Sequence, residues 1–146
     1  MSSRRTIGSY SAAAFMLLIG GCFYLLMRPP YLLIHKVAWN LGFGIVVQHG
    51  RMLVAGIKVP DWMLYSVPGA LWSAAYIIIV DNILYDSRMG QRLAVASFIP
   101  VLGAGSEMLQ RLHMIPGTFD AIDIVAYAVP YIIFVIYEIT HNTNIV

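Results

Sequence analysis

The fold class this sequence predicts is an all-α membrane protein. It should have four transmembrane helices and an interfacial or re-entrant helical segment between helices 1 and 2. Two observations carry that reading. First, 60% of the 146 residues are hydrophobic and only 11% are charged, where soluble domains carry about 25% charged residues. Second, four apolar runs are each long enough to cross the roughly 30 Å of bilayer hydrocarbon as a helix. The length suits a single membrane domain over residues 1–146. The net charge is +2 and the nine Lys/Arg are scattered. No basic face with interleaved aromatics is present, so nucleic acid is not an expected partner. The one cysteine, Cys22, lies inside the first apolar run, which excludes an internal disulfide framework and suits inert helix packing.

The first run covers 9–27, and as a helix would be about 28 Å long. Arg4-Arg5 precede it and Arg28-Pro29-Pro30 stop it, because proline cannot continue a helix. Ser3-Arg4-Arg5 has a weak likeness to a twin-arginine signal, and Ile19-Gly20-Gly21-Cys22 to a lipobox. Apolar residues continue past Cys22, however, and more membrane segments follow, so an uncleaved helix is the better reading. The second run covers 63–85, with Pro68-Gly69 expected in or just before its first turn. The third covers 93–110, with Pro100 in its middle and the small residues Gly103 to Ser106 suited to close helix approach. The fourth covers 121–139, with Pro130 near its centre.

Residues 31–60 are harder to assign. Lys36, Asn40, Gln48, Arg51 and Lys58 share one helical face opposite Val, Leu, Ile and Met. This is the pattern of a helix lying in the interface. Gly42, Gly44, Gly50 and Gly56 weaken it and allow a broken or re-entrant piece. A fifth span is disfavoured, because Gln48, His49 and Arg51 would fall near the bilayer centre. The Arg4-Arg5 pair favours a cytoplasmic N-terminus. Asp81 and Glu138 would then reach water at the cytoplasmic helix ends.

Against this apolar background one polar cassette stands out: Glu107 and Gln110, then Pro116-Gly117-Thr118-Phe119-Asp120, then Asp123. Ionisable groups near membrane depth are costly and mark functional sites. Glu107 and Gln110 are three apart, as are Asp120 and Asp123, so each pair shares a helix face. Asp120 is placed to cap the last helix, with Asp123 in its first turn. The short connection makes the last two helices antiparallel neighbours, so the pairs converge at one membrane face. The plainer readings are a cap for the aspartates and an interhelical hydrogen bond for Glu107 and Gln110. Arg111 would neutralise Glu107 or anchor at headgroups, and His113 would be solvated or join an acid/base set. The tryptophans and Tyr65 read as interface belts.

The order Glu107-x-x-Gln110, a short loop, then Asp120-x-x-Asp123 opening a final helix, with Tyr127 beyond, resembles the VanZ-like family of small membrane proteins. Pro68-Gly69-Ala70-Leu71-Trp72 is similar to a stretch that opens an earlier helix in one bacterial branch, although Gly69 stands where that branch carries an acidic residue. The resemblance covers about 61–131. It implies a bacterial inner-membrane, cell-envelope protein, and the family's namesake is associated with resistance to the glycopeptide antibiotic teicoplanin.

The candidate ligand-binding residues are therefore Glu107, Gln110, Asp120, Asp123 and Tyr127. No phosphate loop, HExxH, CxxC or nucleophile elbow is legible, and no metal or cofactor is expected. The first hypothesis is a non-catalytic protein that binds membrane lipids or lipid-linked envelope precursors. The alternatives are acid/base or metal-assisted chemistry on a lipid-linked substrate, or a small transporter subunit working as a homo-oligomer. The lack of an obvious nucleophile favours the first.

Overall fold

The computed structural model describes residues 3–142, with side chains described for 7–141. Every regular element is helical among the described residues, and four helical stretches are long and apolar enough to cross a membrane: Ile7–Met27, Asp61–Ile83, Met89–Arg111 and Ala121–His141. This is the all-α membrane architecture that composition requires.

Helix α1, Ser3–Cys22, runs on as a π-helical turn, Phe23–Met27. It ends at Arg28, whose backbone is extended (φ −78°, ψ 160°), as a residue before proline must be. The last carbonyls of a helix need donors. Arg51 supplies them, its Nη1 donating to Leu25 O at 3.1 Å and Arg28 O at 2.6 Å. Cys22 is exposed rather than packed between helices, so the expectation of a packing role is corrected.

Residues 31–60 form two short helices, α2 (Leu33–Asn40) and α3 (Gly44–Val54). Eight and eleven residues reach about 12 and 17 Å, too short to span. The segment breaks at Gly42, whose φ of +83° is the left-handed conformation that glycine adopts at no steric cost. Gly42 N donates to Trp39 O and Phe43 N to Ala38 O, a Schellman ending for α2. α3 and α2 both lie against the π-turn, and Arg51 turns inward to α1 instead of lying on an outer polar face.

Helix α4, Asp61–Ile83, is the hub. Buried residues make up 39% of its apolar window, against 11–17% in the other three spans. α1 packs on one side of it and α7 (Ala121–Asn142) on the other, and α6 packs beyond on α7. Pro68 lies within α4, not in its first turn. The helix starts earlier than expected because Trp62, Met63 and Leu64 extend it upstream of the proline. Pro68 is fully buried, and neighbouring helices tolerate the lost backbone bond.

The third span divides into α5, Met89–Ala96, and α6, Phe98–Arg111. Pro100 has no N–H to offer the preceding turn. Tyr76 and Tyr131 hydroxyls donate to Val95 O (2.8 Å) and Leu93 O (3.2 Å) at the break, tying α5 to α4 and α7. The core beside this break is small: Ile77, Val80, Ala96 and Phe134, with Tyr76, Leu84, Leu93 and Tyr131 against them. At the same end Arg92 pairs with Asp81 and, at 2.8 Å, with Glu138. Glu138 is 2% exposed. The expectation that it reaches water is therefore overturned: Arg92 gives it a charge partner inside the bundle.

Candidate functional site

The opposite end of the bundle gathers the end of α1, the start of α4, the end of α6 and the start of α7. Their side chains enclose a cavity of about 620 Å³ lined by Tyr24, Arg28, Tyr65, Ser106, Glu107, Gln110, residues 117–120, Asp123 and Tyr127. All five candidate residues expected from the sequence lie on its wall. The size is in the range of small-molecule pockets, about 300–1,000 Å³.

The α6–α7 connection shapes one side. α6 ends in a second Schellman motif: His113 N donates to Gln110 O and Met114 N to Leu109 O, both at 3.0 Å. The left-handed position is filled by His113 itself, with φ +56°. His113 is a helix-stop residue outside the cavity wall and takes no part in the site. Gly117 (φ +142°) then lays the loop over Gln110: a Cβ at residue 117 would stand 2.6 Å from that side chain. Arg111 sits 5.1 Å from the Phe119 ring centre. Among the described residues it makes no ion pair with Glu107, so it does not neutralise that group.

Glu107 is 6% exposed, and its Oε2 accepts a hydrogen bond from Asp120 N at 3.0 Å. Asp120 Oδ1 accepts from Ile122 N at 2.8 Å, which makes Asp120 the N-cap of α7, as its position implied. In a capping box the acid three residues after the cap would reach back to the cap's own N–H. Here Glu107 takes that N–H from the neighbouring helix. Asp123, three residues after the cap, is thereby relieved of the task, and its Oδ1 is shut off from solvent without a hydrogen-bond partner.

Tyr127 fills a slot between two glycines. A Cβ on Gly103 would lie 2.6 Å from the base of its ring, and one on Gly69 would lie 3.1–3.2 Å from its hydroxyl end. This gives Gly69 a physical role: an acidic side chain there would begin inside the space Tyr127 occupies. Ser73 Oγ donates to Tyr127 O at 3.2 Å and fixes α7 against α4.

Arg28 is the site residue that sequence reasoning missed, having been taken as a helix stop. Its guanidinium lies 4.1 Å from the Tyr24 ring centre and 4.7 Å from that of Tyr65, and Nη2 donates to Tyr65 O at 3.1 Å. Tyr24 in turn stacks on Trp72 at 4.9 Å and 16°. Gly20 makes room for that indole, since a Cβ there would be 2.3 Å from Trp72 Nε1. The spacing of Tyr24 and Arg28, four residues apart at the end of the first apolar run, is the signal that could have found it. Tyr65 and Trp72 form part of this shelf instead of an interface belt alone.

The cavity thus sets three carboxylates opposite one guanidinium. Among the described residues both ion pairs belong to Arg92 at the other end, so Arg28 contacts none of these acids directly. Nor do any three His, Cys, Asp or Glu side chains cluster as ligands of one metal ion among the described residues. No family model, no curated protein and no solved structure matches the chain. Fold and composition define a multi-pass all-α membrane protein with a polar cavity at one end of its helix bundle.

Proposed function

We propose that this chain is a VanZ-like protein of the bacterial cell envelope that binds an amphipathic or lipid-linked ligand in the cavity at the α6–α7 tip. The observation that carries this is the convergence of Glu107, Gln110, Asp120, Asp123 and Tyr127 on one cavity wall. It occurs in a bundle whose spans expose many large apolar side chains. A ligand's polar end meets the carboxylates and Arg28, and its apolar part lies along the exposed faces of α1 and α6, where Phe98, Val101 and Leu102 are uncovered. With the Arg4-Arg5 end in the cytoplasm, the cavity opens at the outer leaflet. That is the side on which glycopeptides and extruded envelope precursors are found, and it fits the role in teicoplanin tolerance that the family resemblance suggests.

The test is photo-crosslinking of the full chain in native membranes with a diazirine-bearing phospholipid. Labelled peptides should map to Tyr24–Arg28 and Glu107–Tyr127. The paired change Glu107→Gln, Asp123→Asn should reduce that labelling several-fold while the protein still inserts and accumulates. Labelling spread evenly along every span, indifferent to the pair, would refute the reading.

A further inference from the structure

The two kinds of charge in the cavity specify what the ligand's head must carry. Arg28 Nε is closed off from solvent and donates no hydrogen bond, and Asp123 Oδ1 is equally closed off and accepts none. Both residues line the same cavity. A buried unpaired donor or acceptor costs about 1–3 kcal/mol, and more when charged. The cavity wall therefore carries one guanidinium N–H and one carboxylate oxygen that are left unpaired and do not meet each other. Rotation about the terminal carboxylate torsion, which is soft, can turn either Asp123 oxygen to the cavity.

Resting on the amphiphile-binding reading above, we propose that the head is zwitterionic, with a phosphate on Arg28 and a primary ammonium on Asp123 and Glu107. An aminoethyl phosphate of the phosphatidylethanolamine type has this form. Three facts select it. The guanidinium is planar with fixed donors, matched to phosphate oxygens. Three carboxylates against one guanidinium leave the cavity with an excess of negative charge, so a purely anionic head is repelled and a head with its own cation is drawn in. Finally, the carboxylates need N–H donors: an –NH₃⁺ group offers three and a quaternary ammonium none. Quaternary ammonium would need an aromatic cage. The aromatic rings on the wall are already engaged, Tyr24 by Trp72 and Arg28, Tyr65 by Arg28, Phe119 by Arg111, and Tyr127 by its slot beside Gly69 and Gly103.

The test uses the purified full chain in detergent, titrated with short-chain phospholipids of identical tails and followed by native mass spectrometry. The phosphatidylethanolamine form should bind at least tenfold tighter than the phosphatidylcholine and phosphatidylglycerol forms. Free phosphoethanolamine should compete at higher concentration if the head alone is read, which also separates a lipid source from a soluble one. Asp123→Asn should erase the preference for ethanolamine over choline. Arg28→Gln should weaken ethanolamine-lipid binding at least tenfold, and Arg28→Lys should recover part of it. Equal affinity for all three lipids that still falls with Glu107→Gln would overturn the zwitterion assignment and leave the amphiphile cavity standing. Binding that is equal and indifferent to every cavity variant would overturn both.

Discussion

Two alanine substitutions two residues apart on α6 should act in opposite directions. A Cβ on Gly103 would stand 2.6 Å from Cγ, Cδ1 and Cδ2 of Tyr127, whereas one on Gly105 would have nothing within 4 Å. Carbon atoms rest at about 3.5–4.0 Å, so Gly103→Ala leaves a shortfall of about 1 Å. The atoms it meets are the base of the ring, which cannot swing aside without moving α7. The ring's far end lies beside Gly69, where even a Cβ would stand only 3.1–3.2 Å from it. Overpacking of this kind costs about 1–3 kcal/mol, while alanine regains up to about 1 kcal/mol of helix propensity. A shortfall of about 1 Å against the rigid base of a ring belongs in the upper part of that range, about 2–3 kcal/mol, so Gly103→Ala should lose about 1–2 kcal/mol of stability after the propensity gain. Gly105→Ala, with the propensity gain alone, should gain up to about 1 kcal/mol. Reversible unfolding in mixed micelles, titrated with a denaturing detergent, measures both. Tyr127→Ala should cost less in the Gly103→Ala background than alone, a coupling of about 1 kcal/mol or more between the sites. The two alanines behaving alike, or a coupling near zero, would refute the claim that a close α6–α7 approach through Tyr127 builds the cavity wall.

Three further outcomes are expected. His113→Gly should stabilise the chain by about 0.5–1 kcal/mol, because glycine removes the side-chain penalty at a left-handed position; an unchanged or lower unfolding midpoint would argue against the Schellman ending. Arg92→Met should destabilise by about 3–5 kcal/mol by removing the guanidinium that Glu138 and Asp81 share, and adding Glu138→Leu should return part of that loss in the same assay. Burial, then the charge of Arg51, lowers the pKa of His35 from its ordinary 6.5. The folded chain thus binds the proton less well than the unfolded chain. The contribution of a neutral His35 is complete above pH 6.5, declines as the pH falls below that value toward the depressed folded pKa, and levels off beneath it. His35→Gln should flatten that acid limb of a stability-versus-pH curve; an unaltered limb would show that another group produces it.

The spans were legible because lipid imposes a simple rule. Residues facing hydrocarbon must be apolar over a fixed length, so four runs near the right length can be read directly. The observed spans differ from those runs mainly at their ends, Asp61 in place of 63 and Met89 in place of 93, where apolar character tapers. The cassette was legible for a related reason: acids and amides at membrane depth stand out, and short loops bring neighbours together. The break at Ser97 was less so, since Pro100 marks a weak point but not that tyrosines on other helices will hydrogen-bond carbonyls of the turn before it. Arg51 and Glu138 were misplaced because each is held by a partner distant in sequence, the end of α1 for one and Arg92 for the other.

By itself, then, the chain determined that it is a helical membrane bundle and which acids would sit at its tip, because both follow from local spacing and the cost of polarity in lipid. Only tertiary packing decided the rest: α1 across α4 brings Arg28 to the same cavity as those acids, and α7 against α6 and α4 lets Glu107 take over the capping contact, leaves Asp123 free of it, and seats Tyr127 between Gly69 and Gly103. Those arrangements join residues 13 or more positions apart, from Glu107 with Asp120 to Gly69 with Tyr127, and no periodicity within one helix encodes them.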